Sequence, residues 1–167
     1  MNSSLQEAIN DQIQAEFFSA YLYLSMSAYC TESNLTGFAG WMRLQAQEEV
    51  SHGMRLVTFM QNRGAPVLLQ ALGEPPHDFG SPLEIMQASL QHERSVTDRI
   101  HKLYAMAVEA GDYPAQVEFQ WFISEQVEEE ATIDEIVQRL KMFGTDGTAL
   151  LLVDGQLGDR ATEEDAE

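Results

Sequence analysis

Four stretches of this chain each carry a stripe of residues at alternating spacings of three and four, and each stripe is interrupted near its middle by polar groups. That spacing aligns side chains along one face of an α-helix, so each stripe predicts a helix with a single buried seam. The first is Leu5, Ile9, Gln12, Glu16, Ser19, Tyr23, Met26 and Cys30. The second is Phe38, Met42, Gln45, Glu49, His52, Leu56 and Phe59. The third is Leu83, Met86, Leu90, Glu93, Thr97, Ile100, Tyr104 and Ala107, and the fourth Phe119, Phe122, Gln126, Glu129, Ile133, Ile136, Leu140 and Phe143. No stretch reads as a strand and no sequence repeat is present. Four long seams bury themselves best against one another, as a four-helix bundle.

Local signals set the boundaries. Ser4 with Glu7 forms a capping-box pattern that predicts the first helix start. The second is expected to start at Asn34 and to stop before Gly64 and Pro66; Ser81-Pro82-Leu83-Glu84 opens the third. Gly111 closes the third helix and Gly144 the fourth. Residues 64–81 hold Gly64, Pro66, Gly73, Pro75, Pro76 and Gly80, and so form an irregular connection. At up to about 3.3 Å per residue it can run the roughly 40 Å of a neighbouring helix, which places the third helix parallel to the second. The short turn Gly111-Asp112-Tyr113-Pro114 makes the third and fourth antiparallel. Ala149 to Val153 is too apolar for water and too short to stand alone, so a short fifth helix is expected to pack on the bundle. Residues 1–158 thus form one domain, and 159–167 an acidic tail expected to be disordered at its end.

Charge narrows the partners. With 27 acidic and 9 basic residues, the net charge of -18 opposes binding to nucleic acid or an anionic membrane and favours cationic ligands. A single cysteine, Cys30, excludes an internal disulfide and fits a reducing compartment. The N-terminus has no basic segment followed by an apolar run, and no apolar stretch approaches the roughly 20 residues of a membrane span. A cytoplasmic protein is expected.

The interrupted seams carry the chemistry. Glu16, Glu49, Glu93 and Glu129 fall one on each seam, and His52 follows Glu49 by just under one turn, on the same face. Burying an unpaired carboxylate costs several kcal/mol, against about 1 kcal/mol for one good hydrogen bond. The seams contain no lysine, and Arg63 lies near a helix end. Bound metal is the best source of the missing positive charge. Carboxylates with one imidazole suit iron, manganese or zinc, and two divalent ions bridged by Glu49 would balance four carboxylate charges.

The set Glu16, Tyr23, Glu49-x-x-His52, Glu93 and Glu125-Gln126-x-x-Glu129 resembles the ferroxidase centre of ferritins of the bacterial non-haem type, and the similarity spans nearly the whole chain. It implies an all-α, ferritin-like four-helix bundle with a long crossover and a short fifth C-terminal helix. It further implies that Glu16, Glu49 and His52 hold one iron, that Glu49, Glu93 and Glu129 hold a second, and that Gln126 sits at the edge. Glu48, Glu125 and Glu128 resemble the carboxylates that, with Glu129, form a third iron site in some bacterial ferritins. Tyr23 would hydrogen-bond the site or give up an electron. The implied activity is oxidation of Fe(II) by O2 or peroxide and storage of Fe(III) mineral in a homo-oligomeric shell of 24 subunits. The rival readings are a di-iron oxidase or oxygenase acting on an organic substrate, and a bundle that binds metal without catalysis.

The departures from related patterns are specific. Bacterioferritins repeat Glu-x-x-His on the fourth helix, where this chain has Gln126-x-x-Glu129, and place a haem-ligating methionine where this chain has Val50. No haem is expected. The acidic pair that lines the threefold pore of animal ferritins falls on Gln116 and Phe119, which leaves Glu118 as the nearby candidate for an iron access route. His77, His92 and His101 lie off the stripes and are expected at the surface. Trp121, beside the seam, is expected to pack in the core or at an interface.

Overall fold

The computed structural model describes residues 1–144 and 146–164, with side chains described through Asp159. It contains α1 (Ser3–Glu32), α2 (Thr36–Asn62), α3 (Pro82–Glu109), α4 (Tyr113–Phe143) and α5 (Gly147–Glu164), and no strand among the described residues. The four long helices are as the seams predict, and the long connection and the fifth helix are as the Gly- and Pro-rich stretch and the apolar run predict.

Boundaries shift where a competing cap intervenes. α1 starts ahead of Ser4 because Asn2, in an extended conformation, accepts from the Leu5 N–H at 2.8 Å, and asparagine caps as well as serine does. α2 starts at Thr36, because Asn34 adopts φ 59° in the turn that ends α1. α3 opens on the expected capping box: Glu84 N–H donates to Ser81, and the Ser81 N–H donates back to the Glu84 carboxylate at 2.7 Å. Gly111 and Gly144 close α3 and α4 at φ 62° and 59°, conformations that suit glycine.

Cross-helix bonds give the directions. Ser27 on α1 donates to the Ala39 carbonyl on α2, and Asn10 reaches the Pro66 carbonyl just past its end, so α1 and α2 are antiparallel. Arg99 meets Gln12 while Ser89 meets Met26, so α3 also runs antiparallel to α1. α2 and α3 are therefore parallel, as the long connection requires. That connection lies along α1 and is held by its polar side chains. Asn10 accepts from Leu68 N–H, while Gln14, Ser25 and Tyr29 donate to the carbonyls of Ala71, Pro76 and Gly80. An extended strap without a sheet partner thus satisfies part of its backbone.

The apolar core is in two parts. One end packs Met26, Phe38, Trp41, Met42, Met86 and Ile136; the other packs Leu5, Ile9, Leu56, Met60, Ile100 and Phe119. Between them lies a buried polar layer containing Glu16, Glu49, His52, Glu93, Gln126 and Glu129. The seams depart from expectation mainly at their ends: Phe59 is only half-buried, with Met60 in the core, and Phe143 is exposed.

α5 is longer than the apolar run suggested. Residues 159–164, expected within the acidic tail, continue the helix, while the final residues 165–167, where disorder was expected, lie outside the described residues. Val153 and Leu157 dock it on the first apolar cluster. No side chain of the adjoining turn caps α2; Asp154 of α5 does so from across the fold, accepting from Phe38 N–H at 2.9 Å. Close approach demands Gly37, since a Cβ there would come within 1.6 Å of the Asp154 carbonyl oxygen. Gly37→Ala should therefore displace α5, lowering the melting temperature and speeding proteolysis of α5. Asp154→Ala should cost about 1 kcal/mol, the usual worth of a helix cap. Unchanged melting and cleavage in Gly37→Ala would contradict this docking.

Candidate metal centre

All four bundle helices contribute to the polar layer through the same geometric device, a polar residue at a seam position. Glu16 comes from α1, Glu49 and His52 from α2, Glu93 from α3, and Gln126 and Glu129 from α4, and all are buried. Potential ligand atoms of Glu16, Glu49 and His52 lie within 4.8 Å of one another, as do those of Glu49, Glu93 and Glu129. Glu49 belongs to both groups, the position expected of a bridge. The His52 Nδ1 stands 3.9 Å from Glu49 Oε2 and 3.8 Å from Glu129 Oε1.

Compensation for these charges is incomplete. Neither oxygen of Glu49 nor of Glu129 has a hydrogen-bond donor. Among the described residues no lysine or arginine forms an ion pair with Glu16, Glu49, Glu93 or Glu129. Burial, reinforced by Glu93 and other acids, pushes Glu49 well above the usual carboxylate range and Glu129 up to about 10. Burial likewise raises Glu16 to about 7, against the opposing effect of its hydrogen bonds. A proton shared between Glu16 and Glu49 would relieve this repulsion in the absence of a cation. His52 moves the other way, down to about 4, through burial and then the charge of Arg55. Its imidazole is neutral at physiological pH and so retains a lone pair for a metal.

Around the layer, Tyr23 is fully buried and its hydroxyl donates to Glu93 Oε1. Burial and Glu93 raise the phenol well above its ordinary range, which keeps it a donor. Gln126 turns its amide nitrogen to Glu93 Oε2, at 3.2 Å, and to Thr97. Glu48, Glu125 and Glu128 are brought together as expected: with Trp41, Gln45 and Glu129 they line an adjoining pocket of about 120 Å³. Glu125 also has a ligand atom within 4.8 Å of His52 and Glu129.

One surface assignment changes, and Glu118, the candidate for an access route, has a partner. His92 is not a free surface residue: its Nε2 lies 2.7 Å from Ser19 Oγ, and its ring meets Tyr23 edge-on at 6.3 Å. It sits one position from the seam, where helical geometry lets a long side chain fold back into the interior. Glu118 is held by Arg55 Nε at 2.6 Å, so it serves as a counter-ion. The same guanidinium covers Trp121 at 3.9 Å, and Trp121 packs edge-on to His52. His77 and His101 are exposed as expected.

A four-helix bundle whose seams converge on a shared glutamate, flanking carboxylates and one histidine defines the class of carboxylate–histidine bundle proteins. The chain belongs to the ferritin family: the ferritin-like domain matches residues 6–143. A bacterial non-heme ferritin of Staphylococcus aureus is 38% identical over 165 residues, covering 99% of each chain. A probable bacterial non-heme ferritin-like protein of Haemophilus influenzae is 33% identical, covering 98% of this chain and 99% of the relative. In structure, the chain is similar to an open pore ferritin from the archaeon Archaeoglobus fulgidus. The TM-score is 0.94 at 44% identity, with 95% of this chain and 98% of that one covered.

The protonation pattern gives a sign. A divalent cation needs ionised carboxylates, so binding should expel protons, and affinity should rise with pH between about 6 and 8. The metal-free protein should respond oppositely. Carboxyls whose folded values are raised contribute stability at low pH that is lost as pH rises through about 7, where Glu16 ionises. Calorimetry with Co(II) in two buffers of different ionisation enthalpy measures the protons released; zero release would contradict the raised carboxyls.

Proposed function

We propose that this chain stores iron and oxidises it on the way, as a ferroxidase in the cytoplasm. The observation that carries this reading is the pair Glu49 and Glu129, buried in mid-bundle with no donor on either carboxylate. Two Fe(II) ions are the substrate. Glu16, Glu49 and His52 hold one, Glu49, Glu93 and Glu129 hold the other, and Gln126 braces Glu93 at the edge. Holding two reduced ions at one bridge lets O2 take two electrons from a single site, giving two Fe(III) and, with two protons, H2O2. The protons displaced from the carboxyls are available for that step. Tyr23 holds Glu93 in place and is the nearest phenol should an additional electron be required. The family membership and the relatives named as ferritins support storage as the outcome.

Fe(III) then leaves toward the pocket of Glu48, Glu125 and Glu128, which acts as a third iron site and passes mineral precursors to the interior of a 24-subunit homo-oligomeric shell. A small pocket with four carboxylates, Glu48, Glu125, Glu128 and Glu129, in its lining suits a cation better than an organic substrate, which favours storage over an oxidase acting on small organic molecules. Closed symmetric assembly also supplies the enclosed space that storage needs.

Mixing anaerobic protein with Fe(II) and then O2 should give a fast oxidation phase saturating at two irons per chain. Elution at the mass of one or two 18.7 kDa chains would rule out the shell. Glu93→Ala should keep the fold, since it removes a buried charge, and slow the fast phase by at least about tenfold. An unchanged initial rate would refute that ligand. Replacing Glu48, Glu125 and Glu128 together by alanine should spare the first phase and slow later turnovers; equal loss in both phases would argue against a distinct third site.

A further inference from the structure

Glu16 differs from Glu49 and Glu129 in having a hydrogen-bond donor, and the source of that donor is unusual. Gln12, one turn earlier on α1 and 1% exposed, donates from Nε2 to Glu16 Oε1 at 2.8 Å. Its Oε1 accepts from Nε of Arg99 on α3 at 3.0 Å. The Arg99 Nη2 donates to the Asp11 carbonyl at 2.7 Å, so the guanidinium grips adjacent residues of α1.

The chemistry fixes the direction of this chain of bonds. A guanidinium has donors only, so the end of Gln12 that faces it must be the carbonyl, and the amide nitrogen must face Glu16. Were Gln12 free to flip, its carbonyl oxygen would point at a carboxylate and repel it. Arg99 removes that alternative. It also ties α3 to α1 beside the layer, without touching any of the carboxylates itself.

We infer that Gln12 and Arg99 are a positioning pair that holds the Glu16 carboxylate ready for the cation it shares with Glu49 and His52, Arg99 acting through Gln12. The amide bond to Oε1 fixes the plane of the Glu16 carboxylate, so this proposed ligand is oriented before a cation arrives. The inference rests on Glu16 being a ligand, as proposed above.

Anaerobic titration of the full-length protein with Co(II), followed by its visible absorption, reads the coordination without any oxidation step. Gln12→Leu and the similarly shaped Gln12→Met should weaken binding at this site by about 10- to 100-fold, the usual effect of removing a partner of a metal ligand. Arg99→Leu should weaken it less, and Arg99→Lys should recover part of that loss. Because Arg99 acts through Gln12, the double variant Gln12→Leu/Arg99→Leu should bind no more weakly than Gln12→Leu alone. Additive losses, or Gln12 variants that keep helical circular dichroism and bind like the parent, would overturn the inference. Glu16→Ala separates the two readings. If it leaves the Co(II) spectrum unchanged, Glu16 is not a ligand and the site reading fails with the inference; if it abolishes the signal while Gln12 variants bind normally, only the positioning role falls.

Discussion

In the middle of the bundle, four oxygens of Glu49 and Glu129 are sealed from water without a single donor between them. In a folded protein that arrangement is tolerable only if protons or cations occupy it, because an unpaired buried carboxylate costs several kcal/mol. The remaining architecture accommodates that cost. Two apolar clusters, one on either side of the layer, supply the burial that holds the helices together. Long helices let both clusters exist on the same four elements. A bundle half as long would have to choose between a core and a site.

The same constraint explains the choice of neighbours. Tyr23, Gln12 and Gln126 approach the layer as neutral donors, and each bonds a carboxylate at its edge: Tyr23 and Gln126 at Glu93, Gln12 at Glu16. Neutral donors orient a carboxylate while leaving its charge available. Glu49, the residue common to both candidate metal-holding groups, is given none, which keeps both of its oxygens open to cations.

Much of this was legible in the sequence because seam position is a strong statement about burial. Four stripes located Glu16, Glu49, Glu93 and Glu129 correctly in the buried layer, and the long crossover correctly required α2 and α3 to be parallel. Signals that depend on a distant partner were not legible. The cap of α2 is Asp154, 116 residues from the Phe38 N–H it accepts from, so local sequence points to Asn34 instead. His92 lies one residue off its stripe, and only the packing of α1 against α3 shows that its ring reaches Ser19 and Tyr23. Gln12 was on the stripe yet passed as a seam residue, since its partner Arg99 lies on another helix at a position the α3 stripe skips. A polar residue one turn before a buried acid was the available clue. Glu118 reads by sequence as a candidate for an iron access route, and its pairing with Arg55 of α2 is visible only in the structure.

Arg55 and Arg99 show how a cation can serve such a site without closing it. Each is anchored at the periphery, Arg55 by Glu118 and Arg99 by the Asp11 carbonyl. Each reaches the layer through one intervening side chain, Arg55 stacking on Trp121, which packs on His52, and Arg99 bonding Gln12, which bonds Glu16. Had either guanidinium met a carboxylate of the layer directly, the pair would have been a buried salt bridge, and a metal would have had to displace a permanent charge that cannot lose its proton. One side chain of separation avoids that competition. On the proposed reading the arginines would orient Glu16 and His52, which flank Glu49, while no arginine pairs with the carboxylates of the layer and their charge stays available to a cation.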